Sequence, residues 1–527
     1  MILIASAAYV NAEFQIEFGK LPPALLPVGN RRLFEHQVET LRREFPEQKI
    51  YLSLPESYYL CAKDTIFLER ESVRIIRSSE SLDLAASIEH AIANSIVADE
   101  DFRLLHGDTW LRNVPKNIDC IGLVETNEDY SWEVENVDLT SESVWCGYFA
   151  FSSVQTLRKS LTASEGNFAD AVRLYDAQCP LQRILVEGWH DFGHVNTYFR
   201  SRAKLTTERT FNELIIFDGC VRKTGRPFEK ITAELDWFKF VPPQLRVFIP
   251  QVIDHGVEDG DRPFYVLEYL PLPPLNEVYV HGQNPVFYWD KIFALCADFL
   301  EKCGQHQILP AELARITENA VAMAGSKTWR RLAEYFAFSG HPGLDVPSRI
   351  NGIAVPSLRE IVNDCHLLLE KTRPVPGVLH GDLCLSNILF DSRSDRIKVI
   401  DPRGLDANGE QSALGDLRYD VAKLAHSIIG LYDFIIAGAY SIDYSFTVGL
   451  CIFELDIHID ERTQSIQKVF LDRRFLGLEV RHIIPLTILL FLSMLPLHSD
   501  SVQRQNALLA NALRLYAELK CPRRLPE

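Results

Sequence analysis

HGDLCLSNILF, residues His380–Phe390, follows the short apolar run Gly377–Leu379 and puts an acid just past a predicted strand. Asp382 and Asn387 stand five residues apart, and Asp401 closes the apolar strand RIKVID (Arg396–Asp401) fourteen residues after Asn387. Phosphoryl transfer needs an acid that orients or deprotonates an attacking hydroxyl, and oxygen ligands that hold magnesium against nucleotide phosphates. The spacing supplies those parts, with Asp382 as base and Asn387 and Asp401 as metal ligands. A bland reading, in which Asp382 caps a turn and Asp401 ends a strand, does not account for both blocks occurring together.

The D-x-x-x-x-N spacing followed by an acid is the arrangement of the kinase catalytic loop and its metal-binding Asp. HGDLCLSN and VIDPRG resemble the HGDLxxxN and IDxxx segments of the aminoglycoside phosphotransferase and choline kinase superfamily. The resemblance implies a two-lobed, protein-kinase-like α+β domain that uses ATP with magnesium. Supporting residues lie in order. GCVRKTG places Lys223 on a strand, suited to the nucleotide's α- and β-phosphates, with Arg222 as the competing cation. Glu234, eleven residues on in the predicted helix EKITAELDWFKFV, is placed to pair with Lys223. FYVLEYL (Phe264–Leu270) resembles the strand and hinge that hold adenine, with backbone groups from Glu268 to Leu270 as donors and acceptors. In GDLRYDVAKLAHS, Asp420 is expected to cap exposed amides or orient the catalytic loop rather than act in catalysis. One departure is plain: FNELIIFDG carries no G-x-G-x-x-G.

His-Gly-Asp recurs in RLLHGDT (Arg103–Thr109), but the two surroundings share nothing beyond the tripeptide, which sets aside an internal repeat. Asp108 ends a predicted strand, and the open end of a parallel strand is where ligands sit in such sheets. FGKLPPALLPVGNRRLFEHQ (Phe18–Gln37) resembles the PKxLLPVxxxPLxEH segment of sugar-1-phosphate and phosphocholine nucleotidyltransferases. WHDFGHVNTYFRSRA (Trp189–Ala203) resembles that family's closing segment, and WCGYFAFSS (Trp145–Ser153) its Gly-bearing substrate strand. The resemblance implies a Rossmann-like, GT-A-like domain in which Asp108 and Asp191 hold magnesium on nucleotide phosphates; an N-terminal helix cap is the alternative for Asp191. The triphosphate grip departs from the family. IASAAYVNAEFQIEFGK has no glycine before Gly19 and no arginine, and Pro23 replaces the family's lysine, leaving Lys20, Arg31 or Arg32 as substitutes.

Composition bounds these readings. At 527 residues the chain predicts two or three domains. A formal charge of −17 with no basic patch argues against a nucleic-acid or anionic-membrane partner. MILIASAAYV lacks a basic n-region and is expected to form a buried strand rather than a signal peptide, and IIPLTILLFLSML (Ile483–Leu495) is too short to span a bilayer and reads as a buried helix. Eleven cysteines without a CxxC pair fit reduced thiols, and the protein is expected in the cytoplasm. In the first two hundred residues MILIAS, KIYLSL, SVRIIR, FRLLHGD and CIGLVET read as strands, with helices at LFEHQVETLRREF and LDLAASIEHAIANSI. That alternation implies a mostly parallel α/β sheet. ELIIFDGCVRKTG (Glu213–Gly225) reads as a hairpin about Asp218-Gly219, and from Tyr288 onward the chain reads as mainly helical. The expected domains are 1–205, nucleotidyltransferase-like, and 206–527, kinase-like, with lobes 206–272 and 273–527.

Three functions fit. A bifunctional enzyme phosphorylates a small alcohol or sugar and then activates the phosphate with a nucleoside triphosphate, CTP preferred, in the manner of bacterial capsule or surface-polysaccharide synthesis. Alternatively the kinase works alone beside an inactive nucleotidyltransferase-like binding domain, or both folds persist in a non-enzymatic assembly factor. The acceptor and the oligomeric state are not legible.

Overall fold

A computed structural model describes residues 1–95, 101–126, 134–138, 141–207, 214–258 and 260–520. Ile96 and Phe211–Glu213, at the ends of predicted elements, lie outside the described residues. The chain divides into two compact units, Met1–Leu205 with His281–Asn284, and Thr206–Val280 with Pro285–Glu527.

In the first unit the strand Ile2–Ala5 lies between Phe102–His106 and Ile50–Pro55, parallel to both, and Arg74–Ser78 extends the parallel set. A strand covered on both faces must be apolar throughout, and Ile2, Leu3 and Ile4 have no exposed surface. Ser141–Phe151 runs antiparallel to Phe102–His106 and Cys120–Glu125, with a register shift between Trp145 and Phe149. The helices Leu33–Glu44 and Leu84–Asn94 fall where the sequence predicts them. The result is the predicted mixed α/β fold around a mainly parallel sheet.

The second unit opens with a four-stranded antiparallel sheet in the spatial order Leu214–Phe217, Cys220–Thr224, Arg262–Glu268, Val252–Glu258. Its first hairpin turns at Asp218 (φ 43°) and Gly219 (φ 72°), the double left-handed turn that Asp-Gly favours. The helix Phe228–Phe240 follows. The remainder is largely helical about Ile484–Met494, whose side chains are buried from Ile484 to Ser493. Among the described residues no helix is long and apolar enough to cross a membrane.

The helical part also holds a sheet the sequence reading did not foresee. Its strands are Ile353–Val355, Ser348–Ile350, Leu450–Ile457 and Tyr440–Thr447, in that order. The central hairpin alternates exposed and covered positions and turns at Val448 (φ 47°) and Gly449 (φ 74°). The period-2 pattern of YSIDYSFT–VG–LCIFELDI was available in the sequence.

Candidate functional site

Two clusters of acids form, one in each unit. In the second unit the short strand Pro376–Val378 pairs with Leu414–Asp416, and the chain then turns through His380–Cys384 into a single 3-10 turn, Leu385–Asn387. The hairpin Ile388–Asp391/Arg396–Val399 folds back so that Ile388 faces Val399, and Ile400 N–H donates to Asn387 O at 3.0 Å. That register brings Asn387 beside Asp401 despite a separation of fourteen positions.

The loop is held from three sides. Asp420, in the first turn of the helix Arg418–Ile428, is fully buried and accepts His380 N–H at 2.9 Å and Gly381 N–H at 2.7 Å. It orients the loop rather than capping its own helix. Burial pushes its carboxyl up to about 7, against the pull of those two amides. His380 Nε2 meets Ile400 O at 3.0 Å, and its Nδ1 faces Asp382 N–H at 3.3 Å. Burial lowers the imidazole to about 4, so it is neutral, with Nε2–H donating and Nδ1 accepting. Trp237 Nε1–H donates to Leu379 O at 2.7 Å while its ring packs edge-on against His380. Trp237 and Trp289 are core residues.

Asn387 Nδ2 donates to Asp382 O at 2.9 Å and to Asp382 Oδ2 at 3.0 Å. Its amide oxygen is thereby turned away from Asp382. Asp401 has left-handed backbone (φ 55°), and its half-exposed carboxylate meets Lys223 Nζ at 3.0 Å. The same ammonium lies 2.8 Å from Glu234 Oε2, which also accepts the Tyr265 hydroxyl at 2.7 Å. Burial works against the charged lysine, but Asp401 and Glu234 outweigh it and raise its pKa. Arg222, the competing cation, points elsewhere: it pairs with Glu258 and lies over the Phe264 ring. At the predicted hinge, Glu268 N–H donates to Gln251 O at 2.9 Å and Tyr269 N–H to Gly219 O at 2.8 Å. Of these three amides, Leu270 N–H is the one without such a partner among the described residues.

The sequence reading missed Lys423. One turn along the helix from Asp420, its Nζ lies 2.8 Å from Asp382 Oδ1. Burial disfavours the Asp382 anion, but Lys423, with His380 and Asn387, overrides it and holds the carboxyl at about 2. The kinase motif carries acids and one strand lysine; the i, i+3 step from Asp420 to Lys423 was the available signal. Lys423→Met is therefore expected to move the acid limb of the kcat/KM profile upward by roughly one to three pH units. The sign follows because the group must be ionised to accept a proton, and removing the ammonium leaves burial to favour the neutral acid. An acid limb that stays in place below pH 5 would remove Lys423 from this role.

In the first unit, Trp189–Asp191 pairs antiparallel with Thr109–Leu111, setting Asp191 opposite Thr109, the residue after Asp108. Asp108 O accepts Phe192 N–H at 2.8 Å, and Asp191 Oδ1 accepts Gly193 N–H at 3.0 Å. The two carboxylates converge on Gly193. A Cβ there would lie 2.9 Å from Asp108 Oδ2 and 3.3 Å from Asp191 Oδ1. Asp191 ends a strand and is not the residue preceding the helix Val195–Thr207, so the cap alternative does not describe it. Burial raises the Asp108 carboxyl.

Residues quoted from the first motif set the frame. Gln37 Nε2 donates to the carbonyls of His106, Gly107 and Thr109 at 3.1, 3.2 and 2.7 Å. Tyr198 donates its hydroxyl proton to Pro27 O at 2.6 Å, tying the LLPV stretch to the closing helix. Gly147 stands where a Cβ would meet Thr109 Oγ1 at 2.7 Å.

The substitute cations are differently placed. Arg32 is buried against Asp64 at 3.4 Å, and Arg31 pairs with Glu35 and Glu39. Lys20 is exposed, 3.2 Å from Glu80 and 4.0 Å above the Tyr9 ring. Several amides of the rewritten loop are already engaged: Ser6 N–H with Ser53 Oγ, Val10 N–H with Leu21 O and Phe14 N–H with Asn11 Oδ1.

Magnesium fits the donor chemistry of the second unit. The Asp401 carboxylate and the Asn387 amide oxygen, which accepts the Ser386 hydroxyl at 3.4 Å, are hard oxygen donors of the kind that ion takes beside substrate phosphates. No cluster of three or more metal-ligating side chains occurs among the described residues.

Residues 220–447 match the phosphotransferase enzyme family. Among solved structures, the chain is similar to the nucleoside-diphosphate-sugar pyrophosphorylase from Vibrio cholerae RC9 (13% identity, covering 38% of this chain and 99% of that one, TM-score 0.32). It is similar to the inositol-1-phosphate CTP transferase from T. maritima (11%, 39% and 96%, TM-score 0.29). A third is a thermostable mutant of aminoglycoside phosphotransferase APH(4)-Ia (13%, 59% and 91%, TM-score 0.37). No curated protein matches the chain.

Proposed function

We propose, from the premise that residues 220–447 form a domain of the phosphotransferase enzyme family, that residues 206–527 phosphorylate a small alcohol or sugar with ATP. Residues 1–205 then link the product phosphate to a nucleotide, CTP preferred, giving a CDP-activated group of the kind used in capsule or surface polysaccharides. The observation that carries the kinase half is the bridge from Glu234 through Lys223 to Asp401, beside a hydrogen-bonded Asp382–Asn387 pair.

In this reading Leu270 N–H and neighbouring carbonyls take the adenine edge. Lys223, oriented by Glu234, holds the α- and β-phosphates. Asp382 orients the acceptor hydroxyl and takes its proton as the new O–P bond forms, while Asn387 and Lys423 keep the carboxylate aimed. Asn387 and Asp401 would hold magnesium, which would supply charge neutralisation to the transferring phosphates. Asp108 and Asp191 would hold the second magnesium, and Lys20 is the cation left to meet a triphosphate in the first unit.

One observation favours a second reading, a kinase with a binding module. Arg31 and Arg32 are committed to carboxylates, and Lys20 already faces Glu80. Pyrophosphate release, measured with CTP, UTP, GTP and dTTP and candidate phosphate esters, separates the two. Release with one nucleotide supports the bifunctional enzyme; none with any pair leaves the kinase alone. Absence of ADP release with every acceptor, together with absence of magnesium–ATP binding, would sink the kinase half as well.

A further inference from the structure

We propose that the acceptor is an acidic alcohol, whose carboxylate or phosphate is held by Lys327 and Arg403 beside Tyr419 while its hydroxyl reaches Asp382. This rests on the kinase reading above. A cavity of about 380 Å³ in the second unit has Met323, Leu379, Arg403, Leu405, Leu414 and Tyr419 among its walls. It adjoins the catalytic loop: Leu379 precedes His380, Arg403 N–H donates to His380 O at 2.8 Å, and Tyr419 precedes Asp420.

Two cations stand at the cavity without a carboxylate partner, Arg403 in its wall and Lys327 just outside it behind Tyr419. Arg403 Nη1 lies 3.2 Å from Met323 Sδ, and Lys327 Nζ lies 3.9 Å from the same sulfur and 5.8 Å from the Tyr419 ring centre. A thioether is a weak acceptor, and the other contacts are a carbonyl, Asp406 O at 3.3 Å from Arg403 Nη2, and the Tyr419 hydroxyl beside Lys327, so neither cation meets a carboxylate. Among the described residues no carboxylate lies within ion-pair distance of either. Of the three acids in the wall, Asp416 is committed to Arg418 at 2.8 Å and Asp406 to Arg315 at 3.2 Å and to the amides of Asn408 and Glu410, while Glu370 is exposed to solvent. Burial lowers the Lys327 ammonium, against the pull of Tyr419, and Arg403 and Lys423 lower it further. Against its own burial, the Tyr419 hydroxyl is drawn down by Lys327, Lys423 and Arg403.

Cations held in partly desolvated surroundings without a counter-charge are stabilised when an anion arrives. The same charges repel an amine. A quaternary ammonium needs ring faces free of competing cations, and Tyr419 is beset by three.

ADP release is measured with magnesium–ATP and matched acceptors: glycerol, glycerate and glycerol phosphate; glucose, gluconate and glucose 6-phosphate; choline and ethanolamine. At least one acid is expected to show a KM about tenfold or more below its neutral partner, as charge-assisted contacts imply. Comparing carboxylate with phosphate names the source of the anion. Lys327→Gln and Arg403→Gln, each with unchanged thermal unfolding, should raise that KM about tenfold and leave the KM for ATP unchanged. Preference for choline, ethanolamine or a neutral acceptor would overturn the proposal while leaving the kinase intact, as would a rise in the KM for ATP alone. Where no acceptor is turned over, binding of inorganic phosphate decides, measured with the nucleotide site filled by magnesium and a non-hydrolysable ATP analogue. Binding lost in Lys327→Gln supports the proposal, and absence of binding to the unaltered protein refutes it. Failure to bind magnesium–ATP at all would instead remove the kinase reading on which the proposal stands.

Discussion

Asp382→Ala is expected to lower kcat for ADP formation by roughly 10²–10⁴, the range that a positioned general base contributes. Binding of magnesium–ATP should survive, because Lys223, Glu234 and Asp401 are untouched and hold one another without Asp382. The loop should also persist: Asp420, Trp237 and Ile400 fix the backbone around His380 by bonds that do not involve the Asp382 side chain. The variant does leave Lys423 beside an empty space in a buried setting, which costs stability. Asp382→Asn keeps the volume and a hydrogen-bonding partner for Asn387, and so separates lost chemistry from lost packing. Steady-state ADP release with thermal unfolding as control checks both. Activity retained in Asp382→Asn would mean that Asp382 orients the acceptor without taking its proton.

The parts of this protein legible in sequence are those where local pattern and chemistry coincide. Asp-Gly between two apolar runs specifies a double left-handed turn, and that turn sets the register carrying Lys223. The spacing from Asn387 to Asp401 is legible because a hairpin returns the chain to its start. Lys423 was not legible as a partner of Asp382, because its placement depends on how the helix Arg418–Ile428 packs under the loop, a tertiary fact. Arg31 and Arg32 show the converse. Sequence offered them as phosphate-binding cations, yet the charge of Arg31 is spent on Glu35 and Glu39, 4 and 8 residues on, and that of Arg32 on Asp64, 32 residues on. The sheet around Leu450–Ile457 had a readable period of two, but its place amid apolar helices masked it.

Asp108→Ala is expected to reduce pyrophosphate release by roughly a thousandfold while ADP formation continues unchanged. The magnitude is the several kcal/mol that a metal-held phosphate owes to charge stabilisation, each 1.36 kcal/mol being about tenfold. The independence follows from the division of the chain, since Asp108 and Asp191 lie in one compact unit and Asp382, Asn387 and Asp401 in the other. Gly193→Ala supplies the sharper test. It removes no charge, but its methyl would sit 2.9 Å from Asp108 Oδ2 and 3.3 Å from Asp191 Oδ1, filling the space on which both carboxylates converge. If those oxygens share an ion, Gly193→Ala should weaken the magnesium dependence of pyrophosphate release as severely as Asp108→Ala. If the two carboxylates only secure the Trp189–Asp191 strand to its partner, Gly193→Ala should lower the thermal midpoint and leave the magnesium dependence where it was.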